Sequence, residues 1–556
     1  MTPPTGDSGF RYKSPWPPIL IALATVLGAV LRLEQLPGQI LRGDEWHAIH
    51  AALQWNTLHL LTHFGPSGHA IPDALYARLL LHTVGLSEWL MRLPVLLAGI
   101  ALIPIGARVI RPYTEDCARV VFAWLLAFSP LLIFYSRFAR PYGLITLTTL
   151  CAVVIFHRWM AQPRPHLLAA YIALTTITLW VHIIAAPFVL LPLAWCAFAP
   201  ARGRSLTLAA SLRRTAKIAV LTIAPSVLLL AAPFLNSFGE ISSKTAGPAT
   251  PFSTLLKAWM VLLGTRSWVL LLSMGVLIGL GMIFMRQRGR GGFLYYLLFL
   301  ASAQIAAVWA MHLVASEGEH IFARYAIFTA PVFLLLAAEG CSFLWTFWRR
   351  ALATMAIAAF CICTAASSRP VWAVFPDNTV DLHYLAFLLH GSNYQSESLN
   401  QMVKEVPAFY RELAKSGPDA LRIAEVPYVW NWHHVYLYQD LHRQSILMGL
   451  TQGCFGADPN VERPAAASSG TRFRNFFFVD DIAAPAARGV DLVIFHKNLF
   501  AEAAHPPEQR APDVGRFIVM YRGAFGPPVY DDDLLTVFSV RGGKPQGWTA
   551  AWPPKP

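Results

Sequence analysis

"PWPPILIALATVLGAVLRLEQLPGQILRGDEWHAIH", residues 15–50, is an apolar run followed almost at once by two adjacent acids, Asp44 and Glu45. Pro15–Leu33 carries no charge before Arg32 and, as a helix, is long enough to cross roughly 30 Å of hydrocarbon. Arg11 and Lys13 precede it, as in a signal peptide. No small-x-small cleavage site separates it from the acids, and more apolar runs follow, so it reads as an anchor. The acidic pair therefore stands where the chain leaves the bilayer.

The pattern repeats. Of 556 residues 55% are hydrophobic and 13% charged, against about 25% charged in soluble domains. Apolar runs fall near 17–33, 90–107, 120–135, 142–157, 167–181, 184–199, 217–235, 267–285, 293–314, 326–344 and 351–366, then stop. Every second loop is basic: Arg11 and Lys13; Arg108, Arg111 and Arg119; Arg158 and Arg164; Arg202 to Lys217; Arg286 to Arg290; Arg349 and Arg350. Cytoplasmic loops carry such a bias. The sequence thus predicts an α-helical multi-pass membrane protein of about eleven crossings, in the cell (inner) membrane, with its N-terminus cytoplasmic. The net charge of +13 is accounted for by these loops and by anionic membrane lipid. Nucleic acid is not an expected partner.

Residues 1–366 form the expected membrane module and 367–556 a soluble α/β domain on the outer, periplasmic or extracytoplasmic, face. The first outer loop, 34–89, has helical apolar spacing in "IHAALQWNTLHLL" and "ALYARLLLHTVG", which predicts amphipathic helices at the membrane surface. Stretch 236–262, rich in Gly, Ser and Thr, reads as a mobile loop. Residues 379–415 look helical, and "VDLVIFHK" (490–497), "RFIVMYRG" (516–523) and "LLTVFSV" (534–540) read as strands. Neither GxGxxG nor a P-loop occurs, so a nucleotide site has no support. Six of seven cysteines lie in or beside apolar runs; Cys454 alone falls in the soluble part, without a disulfide partner there.

Several polar groups gather at the outer ends of the runs. Asp44 and Glu45 follow the first; Arg137, Arg140 and Tyr142 occupy the short turn "SRFARPYG"; His182 lies between the fifth and sixth; Lys244, Lys257 and Arg266 lie in or next to the Gly/Ser/Thr-rich stretch; Arg324 and Tyr325 precede the tenth. Arginines on this side run against the positive-inside bias. One alone reads as snorkelling, but a turn this short keeps both of its guanidiniums at headgroup level, and a planar fork suits phosphate oxygens. A carboxylate facing a lipid-phosphate sugar can take the proton of an acceptor hydroxyl attacking the anomeric carbon, while arginines stabilise the leaving phosphate. For the acids alone a solvated loop or helix cap is the simpler reading; the arginine turn tips the balance.

The stretches "RGDEWHAI", "SEWLMRLPVLLAGI" (87–100), "YSRFARPYGL" (135–144) and "ARYAIFTAPVFLLLAAEG" (323–340), in this order, resemble the GT-C superfamily of membrane glycosyltransferases, in its protein O-mannosyltransferase and lipid A aminoarabinose transferase branch. The tail, with "GVDLVIFHK" and "PPVYDDDLLTVFSV", is similar to the outer domains of bacterial members. The resemblance implies transfer of a sugar from a polyprenyl-phosphate donor to a glycan, lipid or protein acceptor, with Asp44 as catalytic base and Glu45 as the second acid. It supports the phosphate role of Arg137 and Arg140, beside which Tyr142, Arg324 and Tyr325 are expected at the donor phosphate; His69, Tyr76, His182 and Arg266 are the expected substrate contacts. Relatives often carry His-Pro-Pro-Leu-Tyr in the first loop, whereas this chain reads "HAIPDALY" (69–76), so His69 and Tyr76 correspond only with altered spacing.

Some relatives bind a divalent metal ion near this loop, and His47, His50, His63 and His69 could serve one; interfacial packing is the simpler role. Asp531–Asp533 read as a solvated turn, and the aromatics of "WNWHHVYLYQD" (430–440) as domain packing. The alternative class is a lipid or glycan transporter or flippase. It calls for ionisable groups near the midplane and repeated halves, whereas here they concentrate at span ends and no repeat is evident. A non-catalytic envelope subunit leaves the acid pair unexplained.

Overall fold

The structure, a computed structural model, describes residues 16–34, 36, 41, 43–64, 70–198, 208–245, 247–265, 267–313, 316, 318–367, 406–427, 438–439, 441–451, 474–497 and 514–541. Helices α1 (Trp16–Leu33), α2 (Trp46–Gln54), α3 (Thr57–Thr62), α4 (Ile71–His82) and α5 (Glu88–Val109) come first. Then come α6 (Asp116–Phe128), α7 (Pro130–Ser136), α8 (Tyr142–Ala161), α9 (Pro165–Val181), α10 (Ala186–Phe198) and α11 (Leu208–Asn236). They are followed by α12 (Phe238–Lys244), α13 (Phe252–Leu263), α14 (Trp268–Gln287), α15 (Gly291–Ala310), α16 (Glu319–Tyr325), α17 (Ala330–Phe347) and α18 (Arg350–Ser367). Helix forms at each of the eleven apolar runs. Among the described residues seven helices are long and apolar enough to cross a membrane, or eight when α6 and α7, bent by 57°, count as one span. α9, α10 and α18 contain shorter apolar stretches.

The bend shows how the membrane part is tied together. Pro130 has no N–H, so the Leu126 carbonyl one turn earlier loses its helical partner. Arg32, fully buried near the end of α1, donates from Nη2 to Leu126 O (3.0 Å) and from Nη1 to Ala127 O (2.9 Å), while its Nε reaches Ser136 Oγ at 3.1 Å. One guanidinium thus satisfies carbonyls that would each cost about 1–3 kcal/mol if buried unpaired. Arg32, the one charged residue of the first span, is a structural bolt. Deeper in the bundle α14 and α17 cross with backbones touching: a Cβ on Gly281 or Gly340 would lie 2.0 Å from the Leu336 or Leu277 carbonyl oxygen, respectively. Small residues allow such crossings in lipid, where packing rather than the hydrophobic effect joins helices.

The C-terminal part contains α19 (Ala408–Leu413), α20 (Ala483–Ala487), α21 (Gly515–Phe525) and strands β1 (Arg422–Val426), β2 (Ser445–Leu450), β3 (Phe476–Phe478), β4 (Leu492–His496), β5 (Tyr530–Asp531) and β6 (Leu535–Ser539). The sheet order is β3-β2-β1-β4-β6-β5, parallel from β3 to β4 and antiparallel beyond. Period-two alternation divides its apolar side chains between two cores. Ile423, Ile446, Met448, Ile494 and Val537 pack on Trp46, Ile49, Ala77 and Leu80 of the first loop. Ala424, Leu447, Val493 and Phe538 pack on Phe517 and Tyr521 of α21. The first-loop helices are therefore roofed by the sheet. The Glu88 carboxylate at the start of α5 accepts the Asn475 and Arg474 N–H groups at 2.8 and 3.0 Å, which pins the sheet to the membrane part.

Two expectations are corrected. Stretch 516–523 is helical, not a strand: Phe517 and Tyr521 are one helical turn apart and both buried, while Val519 between them is 72% exposed. Stretch 236–262 is mostly helix, not a mobile loop: α13 starts after Pro251 and ends at Gly264, whose φ of +76° suits a glycine cap. Asp531–Asp533 form the expected turn, with Asp532 Oδ1 accepting the Leu534 and Leu535 N–H groups. Cys454, 430–437 and 379–405 lie outside the described residues.

Candidate active site

Asp44 and Glu45 share one 3-10 turn, Gly43–Glu45, that runs directly into α2, and their side chains diverge. Glu45 is fully buried. Its carboxylate takes a two-pronged bond from Arg92 of α5, Nε to Oε1 at 2.9 Å and Nη2 to Oε2 at 2.8 Å, and Oε1 also accepts the Ala139 N–H at 2.7 Å. A carboxylate so engaged has no geometry for proton transfer to a substrate. Glu45, expected as a second catalytic acid, is placed instead as the clamp that holds the 137–140 turn against the first loop.

Within that turn the two arginines separate. Arg137 Nη1 donates to the Leu31 and Glu34 carbonyls at 3.0 and 2.7 Å, capping the C-terminal end of α1, where a cation is favoured. The cap commits its Nη1 to the backbone. Arg140, one residue beyond the clamped Ala139, is buried, and its Nε and Nη1 have no hydrogen-bond partner among the described residues. Its charge reaches Asp44, Asp73, Tyr142 and Lys244. A buried guanidinium with donors to spare is costly without an anion to receive them.

Asp44 is only part-buried. Its Oδ2 accepts from Arg324 Nη1 at 2.6 Å, and Oδ1 lies 3.6 Å from His47 Nε2. Burial pushes its acidity toward the neutral form, but Arg324, His47 and Arg140 outweigh burial and hold the carboxyl well below the usual range. It is ionised at any physiological pH. Arg324 also donates to Tyr325 Oη at 3.2 Å and lies over the rings of Tyr325 and Tyr142 at 5.0 and 5.6 Å. Arg324, Tyr325 and Tyr142 are thus brought to Asp44 as a group.

His182 stands on the rim: it is buried, its Nδ1 accepts the Ile184 N–H at 3.3 Å, and its ring lies 5.6 Å from that of Tyr142. Tyr76 is not brought in; its hydroxyl donates to Leu90 O at 2.9 Å and ties α4 to α5. His69 and Arg266 lie outside the described residues. Among the described residues no three His, Cys, Asp or Glu side chains converge as a metal-binding set. His63 stacks on His59 at 3.9 Å, and burial together with His47 lowers the His50 pKa to about 4, leaving it neutral.

One residue beside Arg140, Asp73, escapes the sequence reading, and one that it grouped with the outer-end charges, Lys244, is brought to Arg140 by the fold. Asp73, in the first turn of α4, faces Arg140 with its Oδ2 shut from solvent and unpartnered among the described residues. Burial raises its pKa to about 7 even though Arg140 opposes the shift. It sits inside "HAIPDALY", so the departure from the family pattern was itself the available signal. Lys244, at the end of α12, has its pKa lowered by burial and by Arg140, while the Asp44 and Glu240 charges act the other way. Only the fold of 236–262 carries it there.

No protein-family model and no curated protein matches the chain. Among solved structures it is similar to ArnT from Cupriavidus metallidurans in the apo state, at 12% identity and TM-score 0.45, over 95% of this chain and 99% of that one. It is similar also to the same protein bound to undecaprenyl phosphate, at 14% identity and TM-score 0.44 over the same shares. The Archaeoglobus fulgidus oligosaccharyltransferase is 13% identical with TM-score 0.44, over 91% of this chain and 73% of that one.

Proposed function

We propose that this chain is a GT-C-type membrane glycosyltransferase that moves a sugar from a polyprenyl-phosphate donor to an acceptor hydroxyl on the extracytoplasmic face. In this reading residues 1–366 are the membrane module and 367–556 the outer domain. The observation that carries it is the pairing, within one site, of a buried Arg140 with unsatisfied donors and an Asp44 held ionised. The Arg140 donors suit the phosphate of the lipid. Asp44 Oδ2 is taken by Arg324, so the proton goes to Oδ1, which lies 3.6 Å from His47 Nε2. The acceptor oxygen attacks the anomeric carbon, the bond from that carbon to the phosphate oxygen breaks with its electrons going to the phosphate, and the hydroxyl proton passes to Asp44. Arg140 meets the charge that grows on the phosphate. Envelope glycan, lipid and protein hydroxyls are all acceptors of suitable chemistry.

Arg140→Ala is expected to weaken binding of a polyprenyl phosphate by about 1.5–3 kcal/mol, the value of a hydrogen bond to a charged group. Arg140→Lys restores part of it, because a point charge lacks the planar fork. Unchanged affinity in folded Arg140→Ala protein removes the phosphate from this turn. Incubation with a labelled polyprenyl-phosphate sugar and extracted envelope material tests the activity: labelled product is expected. Lipid movement across vesicles with no glycosidic product would establish the transporter reading instead. The orientation is tested with a reporter fused after Pro556, expected to be active only outside the cytoplasm; cytoplasmic activity places Asp44 on the wrong side.

A further inference from the structure

Asp73 has no part in the reaction as drawn, yet it is the other acid at Arg140. Its position is built by the fold: Asp73 stands in the first turn of α4, and Ala77, one turn further on, lies in the same buried cluster as Ala139, the residue before Arg140. Ionisable groups stand on the neighbouring elements, His47 and His50 on α2, His59 on α3, Glu88 and Arg92 on α5, and His182 after α9. Among the described residues Arg140 alone is placed to act on the Asp73 charge. Asp44 and Lys244 reach Arg140 from the other sides. Arg140 is thus flanked by two carboxyls, but they differ. Asp44 is committed to Arg324 at 2.6 Å, whereas Asp73 Oδ2 is buried with no hydrogen-bond partner among the described residues.

This inference rests on the reading of Arg140 as the phosphate holder. A phosphate seated there removes the positive charge that favours ionised Asp73 and brings a negative charge beside it. A buried carboxylate facing a phosphate is doubly disfavoured, whereas a neutral carboxyl has an O–H to donate. We propose that Asp73 enters the donor complex as the neutral acid, taking one proton from water, and hydrogen-bonds through Oδ2 to the phosphate that Arg140 holds. When the anomeric carbon–oxygen bond breaks and charge builds on that phosphate, the hydrogen bond from Asp73 strengthens. Asp73 is then a donor-binding residue that also stabilises the leaving group, and donor binding takes up a proton.

Free Asp73 titrates near pH 7, and the protonated form is the one that binds. Affinity should therefore be level below about pH 7 and fall by up to about tenfold for each pH unit above it. The probe is undecaprenyl methyl phosphate, a diester whose single charge does not titrate in this range, bound to the full chain in detergent between pH 6 and pH 9. Wild type is expected to lose at least about tenfold across that range. Asp73→Asn, which keeps a donor and never ionises, is expected to bind at pH 9 at least as tightly as at pH 6. Calorimetry in buffers of different ionisation enthalpy should record uptake of up to one proton at pH 8 in wild type and none in Asp73→Asn. Equal pH slopes in wild type and Asp73→Asn, or no proton uptake, overturn the proposal while wild-type binding and its loss in Arg140→Ala leave the phosphate reading standing. Failure of wild type to bind the probe at any pH overturns both.

Discussion

Asp44→Asn should lower sugar transfer by about 10²–10⁴-fold, the range a general base contributes, while donor affinity changes little. The amide preserves the shape of the side chain and can still accept from Arg324, but it cannot take the acceptor proton. A lowered pKa makes the Asp44 carboxylate a weak base in the resting enzyme. It becomes adequate late in the reaction, when the bond to the anomeric carbon makes the attacking hydroxyl strongly acidic. The assay is turnover with a labelled polyprenyl-phosphate sugar beside a separate donor-binding measurement. Near-normal turnover by folded Asp44→Asn protein would remove this residue from the chemistry, whatever the family resemblance implies.

The second large effect belongs to its neighbour and is of a different kind. Glu45→Ala strands the Arg92 guanidinium, which is fully buried and held by both Glu45 oxygens. Breaking one side of a buried pair typically costs about 3–5 kcal/mol, and the Ala139 N–H loses its acceptor as well. The expected result is a marked loss of thermal stability in detergent, with transfer falling because Arg140 is no longer fixed. Glu45→Ala combined with Arg92→Met should recover much of the stability, since an apolar pair leaves no unpaired charge. A Glu45→Ala protein as stable as wild type, yet as inactive as Asp44→Asn, would return Glu45 to the role of reacting acid.

The contrast between these adjacent residues marks how far the sequence could be read. The bundle was legible because apolar runs of membrane length and alternating basic loops are one-dimensional signals, and helix forms at each of the eleven runs. Strands β4 and β6 were legible for the same reason, as short apolar runs between turn residues. α21 was not, because "RFIVMYRG" is apolar enough for either period and only packing of Phe517 and Tyr521 against the sheet decides between them. The Gly, Ser and Thr of 236–262 suggested a loop, but Pro251 and Gly264 cap a helix whose apolar face is buried.

By itself, the sequence determined that helices cross a membrane, that two acids and a short arginine-bearing turn sit at the ends of spans, and that their chemistry suits a lipid-linked phosphate sugar. Only the tertiary structure decided that Glu45 is clamped by Arg92 while Asp44 pairs with Arg324. It also decided that Arg137 caps α1 while Arg140 keeps its donors, and that Asp73 stands beside them. The reason is physical. Residue type states what a side chain can donate, accept or carry, and hydropathy states where the chain enters lipid. Whether a charge is spent on a partner depends on groups 47 residues away for Glu45 and Arg92, and 280 away for Asp44 and Arg324. Those distances in sequence are closed only by the packing of the folded chain.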